Sequence, residues 1–389
     1  MYKFRQALSL LTLLILALML GGTTAAQNPD APLVIVKNGD LWTWDGLSDS
    51  LTQITQWGFN EEIRVSPDAT QIAYHSLAQV TVEAIEREGG FGGGRLPGNI
   101  WIIDPLTGDG IRPGPQPTGA SFFTPGVPDN VLYRSSPFWS PSGSQMAWTE
   151  YRSTTDFSQF NLIIYDVASS QSWIAASGLP PQVGAPAPMN GVWGTTGIVL
   201  FNTQLDPVSG EMVNGYLLYD SQGNPMMDIL LPADAERVIV EEQLVTYNDT
   251  EYIAIRYNTQ EWDLLDLTTG ELIPAPAEPI AVSAITLDTS LQIHHGADTT
   301  VASRGYDILE ADGTPLELPM PSGRVFGRAA LSPDGRAAAF QFMDAETGLM
   351  DAPVYIWREG ILSLVPDIDG NDFVTELAWG PVKWIIPEA

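Results

Sequence analysis

Two short phrases alternate along this chain, and each occurs seven times. The first joins a tight turn to an apolar run. It stands as Ser66-Pro67-Asp68-Ala69-Thr70-Gln71 before Ile72-Ala73-Tyr74, and as Trp139-Ser140-Pro141-Ser142-Gly143-Ser144-Gln145 before Met146-Ala147-Trp148. A third clear copy is Leu331-Ser332-Pro333-Asp334-Gly335-Arg336 before Ala337-Ala338-Ala339-Phe340. Proline fixes φ at the second turn position, Asp or Ser suits the third, and Gly relieves the exit. Looser copies open at Trp193, Tyr247, Leu287 and Trp379. Successive copies start 40 to 74 residues apart, a spacing that points to a repeat architecture.

The second phrase is an apolar run closed by a charged residue and a turn. Its copies are Leu41 to Asp45, Ile100 to Asp104, Leu162 to Asp166, Tyr216 to Asp220, Trp262 to Asp266, Tyr306 to Glu310 and Val354 to Arg358. The turns behind them, such as Leu106-Thr107-Gly108, Thr268-Thr269-Gly270 and Asp312-Gly313, suit short hairpin loops. The chain opens on the second phrase and closes on the first. A linear array would leave half a unit at each end with open strand edges, whereas a ring pairs the two halves. The expectation is an all-β fold: a seven-bladed β-propeller of four-stranded antiparallel blades, closed where N- and C-terminal strands share one blade. A single domain then covers residues 33 to 389, although 389 residues would otherwise suggest two domains.

The breaks in the pattern fall between strands. Glu86 to Arg95 is glycine-rich and reads as a flexible excursion inside one blade. Arg112 to Pro128 carries five prolines and links two blades, and Asp344 to Asp351 is a shorter polar insertion. Loops of this kind are the usual carriers of binding.

At the N-terminus, Lys3 and Arg5 precede an apolar stretch from Ala7 to Leu20, followed by Thr24-Ala25-Ala26. Charge, apolar core and small residues in that order predict a secretory signal peptide over residues 1–26, cleaved near Ala26. The apolar core is shorter than the roughly 20 residues of a spanning helix. An exported protein without a stable membrane span follows, destined for periplasm, cell surface or medium.

Composition narrows the function classes. The formal net charge is −30, a surface that repels nucleic acid. The chain has no cysteine, which excludes disulfides, thiolate metal sites, a cysteine nucleophile and an N-terminal lipidated cysteine.

The phrases Ser66 to Tyr74 and Ser332 to Phe340, with the hairpin runs Asp104 to Gly108 and Asp266 to Gly270, resemble TolB-like, WD40-like repeats, also called PD40 repeats. The resemblance covers residues 33 to 389 and implies the propeller fold. It also implies a role as a periplasmic interaction platform or as a substrate gate for a serine peptidase. TolB carries a further α/β domain before its propeller, and the stretch between Ala26 and Leu33 is expected to be too short for one. The peptidases carry an α/β-hydrolase domain, which is not expected after the last repeat here.

Catalytic motifs are sparse. The three histidines are His75, His294 and His295, and adjacent strand residues face opposite ways, so the last two do not share a site. Neither a zinc-type His-Glu-x-x-His run nor a Gly-x-Ser-x-Gly nucleophile elbow occurs. No catalytic residue is named on this reading. One acidic cluster, Asp367, Asp369, Asn371 and Asp372 around Gly370, offers spaced oxygens of the kind calcium takes, without the glutamate at the twelfth position of an EF-hand loop. The expectation is a non-catalytic exported propeller that binds a protein or glycan at its loop-bearing face and channel. The alternative is a carbohydrate-active propeller enzyme, a glycoside hydrolase or a polysaccharide lyase, acting in the channel.

Overall fold

A computed structural model describes residues 31–387 apart from 92–94, 153–158, 183–186, 206–209, 233, 235, 285–289 and 296–305. The expected signal peptide lies outside the described residues. What is described is mostly β, built mainly from antiparallel sheets.

The chain begins with β1 (Leu33–Lys37), β2 (Asp40–Asp45) and β3 (Ser50–Gln53), a simple meander. A second group holds β4 (Asn60–Val65), β5 (Ile72–Leu77), β6 (Gly98–Ile103) and β7 (Gly110–Gly114). The third runs through β8 (Leu132–Arg134), β9 (Phe138–Trp139), β10 (Gln145–Arg152), β11 (Gln159–Asp166) and β12 (Gln171–Ser177). Next come β13 (Gly191–Trp193), β14 (Ile198–Leu205), β15 (Met212–Tyr219) and β16 (Pro225–Leu230). The fifth group is β17 (Ile239–Tyr247), β18 (Thr250–Tyr257), β19 (Trp262–Asp266) and β20 (Leu272–Pro274). Three strands follow, β21 (Ile280–Ser283), β22 (Gln292–His295) and β23 (Tyr306–Leu309), then β24 (Arg324–Leu331), β25 (Ala337–Asp344), β26 (Tyr355–Arg358) and β27 (Ile361–Leu364). The chain ends with β28 (Val374–Ala378) and β29 (Val382–Ile385).

Both phrases have local causes. In the first, the Ser66 hydroxyl donates to Asp68 at 2.5 Å while its oxygen accepts the Gln71 N–H at 3.0 Å. Ser332 repeats this with Asp334 and Ala337. The fourth turn residue is left-handed, with φ 59° at Ala69, 70° at Gly143 and 67° at Gly335, which is why glycine recurs there. In the second phrase the closing aspartate caps the hairpin. Asp104 accepts the Leu106 and Thr107 N–H groups, and Asp266 accepts those of Thr268 and Thr269. At other copies of the phrase, side-chain hydrogen bonds from Ser48, Ser169 and Asn224, with backbone N–H groups, hold the Asp45, Asp166 and Asp220 carboxyls below their ordinary range.

Alternate strand residues face opposite neighbours, and the core is the set of seams between sheets. Val34 and Val36 meet Ile72 and Tyr74, while Ala73, Ile100 and Ile102 meet Met146 and Trp148. Ala147, Leu162 and Ile164 meet Ile198 and Leu200, and Val199 and Leu218 meet Ile253 and Ile255. Ala281 and Ile293 meet Ala338 and Phe340. Leu33, Ile35 and Trp44 from the start of the chain meet Ala337, Ala339 and Ile356 from near its end.

The two ends of the chain share one sheet of order β28-β1-β2-β3, with Val34 opposite Ala378 and Ile35 opposite Leu377. Only one strand of the last repeat joins that sheet. The position that β29 would occupy beside β28 is held by β1, so the chain turns at Gly380-Pro381. It then pairs β29 antiparallel with β21 (Ile280 opposite Ile385) and parallel with the end of β17 (Val245 opposite Trp384). That insertion joins β17–β20 to β21–β23, and the pairing of Tyr306 on β23 with Phe326 on β24 adds β24–β27, giving one sheet of twelve strands.

A second difference concerns the excursion before Arg95. Gln79–Glu88 is a helix, α1, ended by Gly89 in the left-handed conformation at φ 80°. Thr81, Val82 and Ala84 form its buried side. Among the described residues, no helix is long and apolar enough to cross a membrane.

Candidate functional site: the central cavity

Inner strands from six of the strand groups surround a cavity of about 1210 Å³. Its wall takes Ile63 to Val65 from β4, Phe138 and Trp139 from β9, Gly191 to Trp193 from β13, Glu241 to Leu244 from β17, Ala329 to Leu331 from β24 and Leu377 and Ala378 from β28. β29 adds Val382, Lys383 and Trp384, so the C-terminal strand forms part of the wall. Apolar strand residues alternate with charged ones, among them Arg64, Glu241, Glu242, Asp249, Glu251 and Lys383.

Two of the carboxylates around this cavity, Glu251 and Glu242, are held by hydrogen bonds. Glu251 accepts the Thr195 and Thr196 N–H groups at 2.9 and 3.0 Å, tying the β13–β14 turn to β18. Glu242 accepts the Tyr216 hydroxyl at 2.7 Å. Burial raises the Glu242 carboxyl above its ordinary range, against the pull of that bond, and pushes Tyr216 far up as well.

Beside the wall, a polar cluster joins β4, β5, β28 and the segment after α1. Glu62 sits in a bulge of β4 at φ 59°, where its N–H and that of Ile63 both point at the Glu376 carboxylate. The Ile63 bond is 2.9 Å. Burial nonetheless raises the Glu376 carboxyl. Arg95 grips Glu62 through both terminal nitrogens, at 2.6 and 2.5 Å. Burial works to raise the Glu62 carboxyl, and the Arg95 pair outweighs it, so the net shift is downward.

His75 is wholly buried on β5, with Nδ1 3.0 Å from Glu61 Oε1 and Nε2 without a partner. Burial lowers its pKa, so the contact is a hydrogen bond of a neutral ring. Its ring fits because Gly98 lies beside it: a Cβ there would stand 2.0 Å from Nε2. Glu61, Glu62 and His75 each bring a ligand atom within 4.8 Å of the others. Below them Arg134, 2% exposed, donates to Glu150 at 3.1 Å and to the carbonyls of Gly98 and Pro115, each at 2.7 Å.

The four residues of the expected calcium cluster lie between β27 and β28. There Lys37 donates to the Asp367 carbonyl at 2.8 Å and to Asp372 at 3.1 Å, and Asn38 donates to Asp372 at 2.8 Å. Asp369 caps the Asn371 N–H at 2.8 Å. The loop therefore ties the C-terminal approach to the end of β1. His294 lies on β22 with Nε2 3.1 Å from Gln292, and only the backbone of His295 is described.

Glu62, Arg95, Arg134, Glu242 and Glu376 were not singled out by sequence. Glu62 and Glu376 are separated by 314 residues, and nothing local marks either.

No family model and no curated protein matches the chain. Among solved structures it is similar to an oligogalacturonate lyase in complex with manganese, at 14% identity over 88% of this chain and 89% of that one, with a TM-score of 0.49. It is similar also to the β-propeller domain of the Trilobed protease from Pyrococcus furiosus, at 10% identity over 85% and 87%, TM-score 0.48. TolB from Acinetobacter baumannii matches at 14% identity over 92% of this chain and 69% of that one, TM-score 0.41. All are β-propeller proteins.

Proposed function

We propose that the chain is an exported seven-bladed propeller, closed by the β1–β28 pairing, that binds a protein or glycan partner in its central cavity without transforming it. Seven strand groups, six successive pairs of them packed face to face and the β17 and β21 groups joined through β29, and a sheet shared by both chain ends support the ring. The observation that carries the binding reading is the cavity itself. It is large enough for an extended chain segment or several sugar rings, and its walls mix apolar faces with charged side chains. Glu251 caps a turn and Glu242 holds a tyrosine, which are structural tasks.

A second reading is a carbohydrate-active enzyme. The grouping of Glu61, Glu62 and His75 favours it, being the one His-containing set of ligand atoms that converges among the described residues.

Purified protein screened against a panel of polysaccharides, with and without a divalent metal, separates the two. Saturable binding with no new reducing ends or unsaturated products is the expected result. Metal-dependent cleavage that Glu62→Gln abolishes would establish the enzyme instead. Failure to bind any polysaccharide, together with failure to retain any envelope protein saturably, would sink the binding reading.

A further inference from the structure

A second cavity, of about 430 Å³, shares no residue with the first. It lies on the side of the β4–β7 sheet that faces the first sheet, and Trp57, after β3, forms the opposite wall. Tyr74 on β5 stands directly across from Trp101 on β6. On β7 Arg112 lies against Trp101, its guanidinium 5.4 Å from the ring centroid. Three adjacent strands thus present a tyrosine, a tryptophan and an arginine in one row.

The polar atoms of that row are unused. Among the described residues, the Tyr74 hydroxyl, the Trp101 indole N–H and the Arg112 guanidinium make no hydrogen bond or ion pair within the protein. Tyr74 is only 5% exposed as a residue, but its hydroxyl is not a fully buried atom: it opens onto solvent and is free to meet a ligand. Burial and the nearby Asp40 push its pKa far up, so it keeps its proton as a donor. The set is therefore donor-rich, cationic at one end and walled by aromatic rings.

We propose that this pocket binds one acidic sugar residue, a pyranose ring carrying a carboxylate. Arg112 takes the carboxylate through its paired N–H groups. Trp57 and Trp101 flank the apolar face of the ring. The hydroxyl of Tyr74 and the indole N–H of Trp101 donate to ring or hydroxyl oxygens, and Gln79 and Thr55 border the cavity. Neutral sugars leave Arg112 unpaired and bind more weakly. The pocket is separate from the central cavity, so the proposal stands or falls independently of what the channel holds.

The test is calorimetric titration of the full chain with glucuronic acid, with glucose and with N-acetylphenylalanine. Wild type is expected to bind glucuronic acid at least about tenfold more tightly than glucose, the size of one charge-assisted contact. Arg112→Gln should weaken glucuronic acid by about tenfold or more and leave glucose unchanged. It should also leave the melting temperature unchanged, because Arg112 is exposed. Arg336→Gln, at an exposed turn elsewhere, should change nothing. Absence of glucuronic acid binding, equal affinity for glucose, an unaffected Arg112→Gln variant, or a preference for N-acetylphenylalanine would each overturn the assignment.

Discussion

Gly98 and His75 show how single positions set the interior. The imidazole fills the space that a side chain at residue 98 would need, 2.0 Å from its Nε2 and 2.8 Å from the Ser76 carbonyl. Gly98→Ala must move either the ring or the strand and is expected to cost about 1–3 kcal/mol, readable as a lower denaturation midpoint without loss of the β spectrum. Arg134 is the other fixed point. Arg134→Ala would remove the ion-pair partner of Glu150 and the side-chain donor to the Pro115 carbonyl, while the Gly98 carbonyl keeps Gln116, an expected loss of about 3–5 kcal/mol. The sequence announces turn-capping aspartates well, because each cap bonds residues two or three places away. It announces Glu242 and Glu376 poorly, because burial by distant strands gives them their character. Glu242 has a direct pH signature. Its pKa is raised on folding, so its contribution to stability is full below the ordinary glutamate value of 4.5 and is lost as pH rises through the folded value. Glu242→Gln keeps an acceptor for Tyr216 and removes the charge. It should therefore raise the melting temperature at pH 8 and leave it nearly unchanged at pH 4. A variant less stable than wild type at pH 8 would contradict the burial account.

At the level of elements, the strand-turn phrases were legible because their chemistry is local, and the strands of the seventh copy were legible as strands. The partner of β29 was not. The residues of β29 have the same apolar rhythm as any second strand of a repeat, and it is the prior occupation of that slot by β1 that sends them to β21. Helix α1 was hidden for a related reason: its buried side covers only Thr81, Val82 and Ala84, too little apolar pattern to stand out beside the glycines that follow. The pairing of chain ends makes β1 a structural latch. Ile35 is fully buried between β2 and β28, so Ile35→Ala should cost about 2–5 kcal/mol. Ile174, on the outermost strand β12 and 57% exposed, should cost less than about 0.5 kcal/mol as Ile174→Ala. Equal midpoints for the two variants in urea unfolding would argue against a latch.

For the whole molecule, the seams that hold sheet to sheet work against a uniform negative field. With 47 acidic and 17 basic residues, distant blades repel one another, and folding brings those charges closer than the open chain would. Salt shortens that reach to about 10 Å at 0.1 M, less than the span between opposite sheets of a propeller. The melting temperature at pH 8 should therefore rise as sodium chloride goes from about 0.01 to about 0.15 M. The few ion pairs that salt would weaken, such as Arg324 with Asp344 and Asp351, are partly exposed and contribute little. Near the isoelectric point of about 4.1 the net field vanishes and the salt response should vanish with it. A cation bound specifically would give a different curve, saturating at low concentration for one metal and persisting against a background of sodium chloride. The response to ionic strength thus tells general repulsion apart from a metal held at the acidic loop from Asp367 to Asp372. A melting temperature indifferent to salt at pH 8 would mean that the surface charge is already neutralised by something the protein binds.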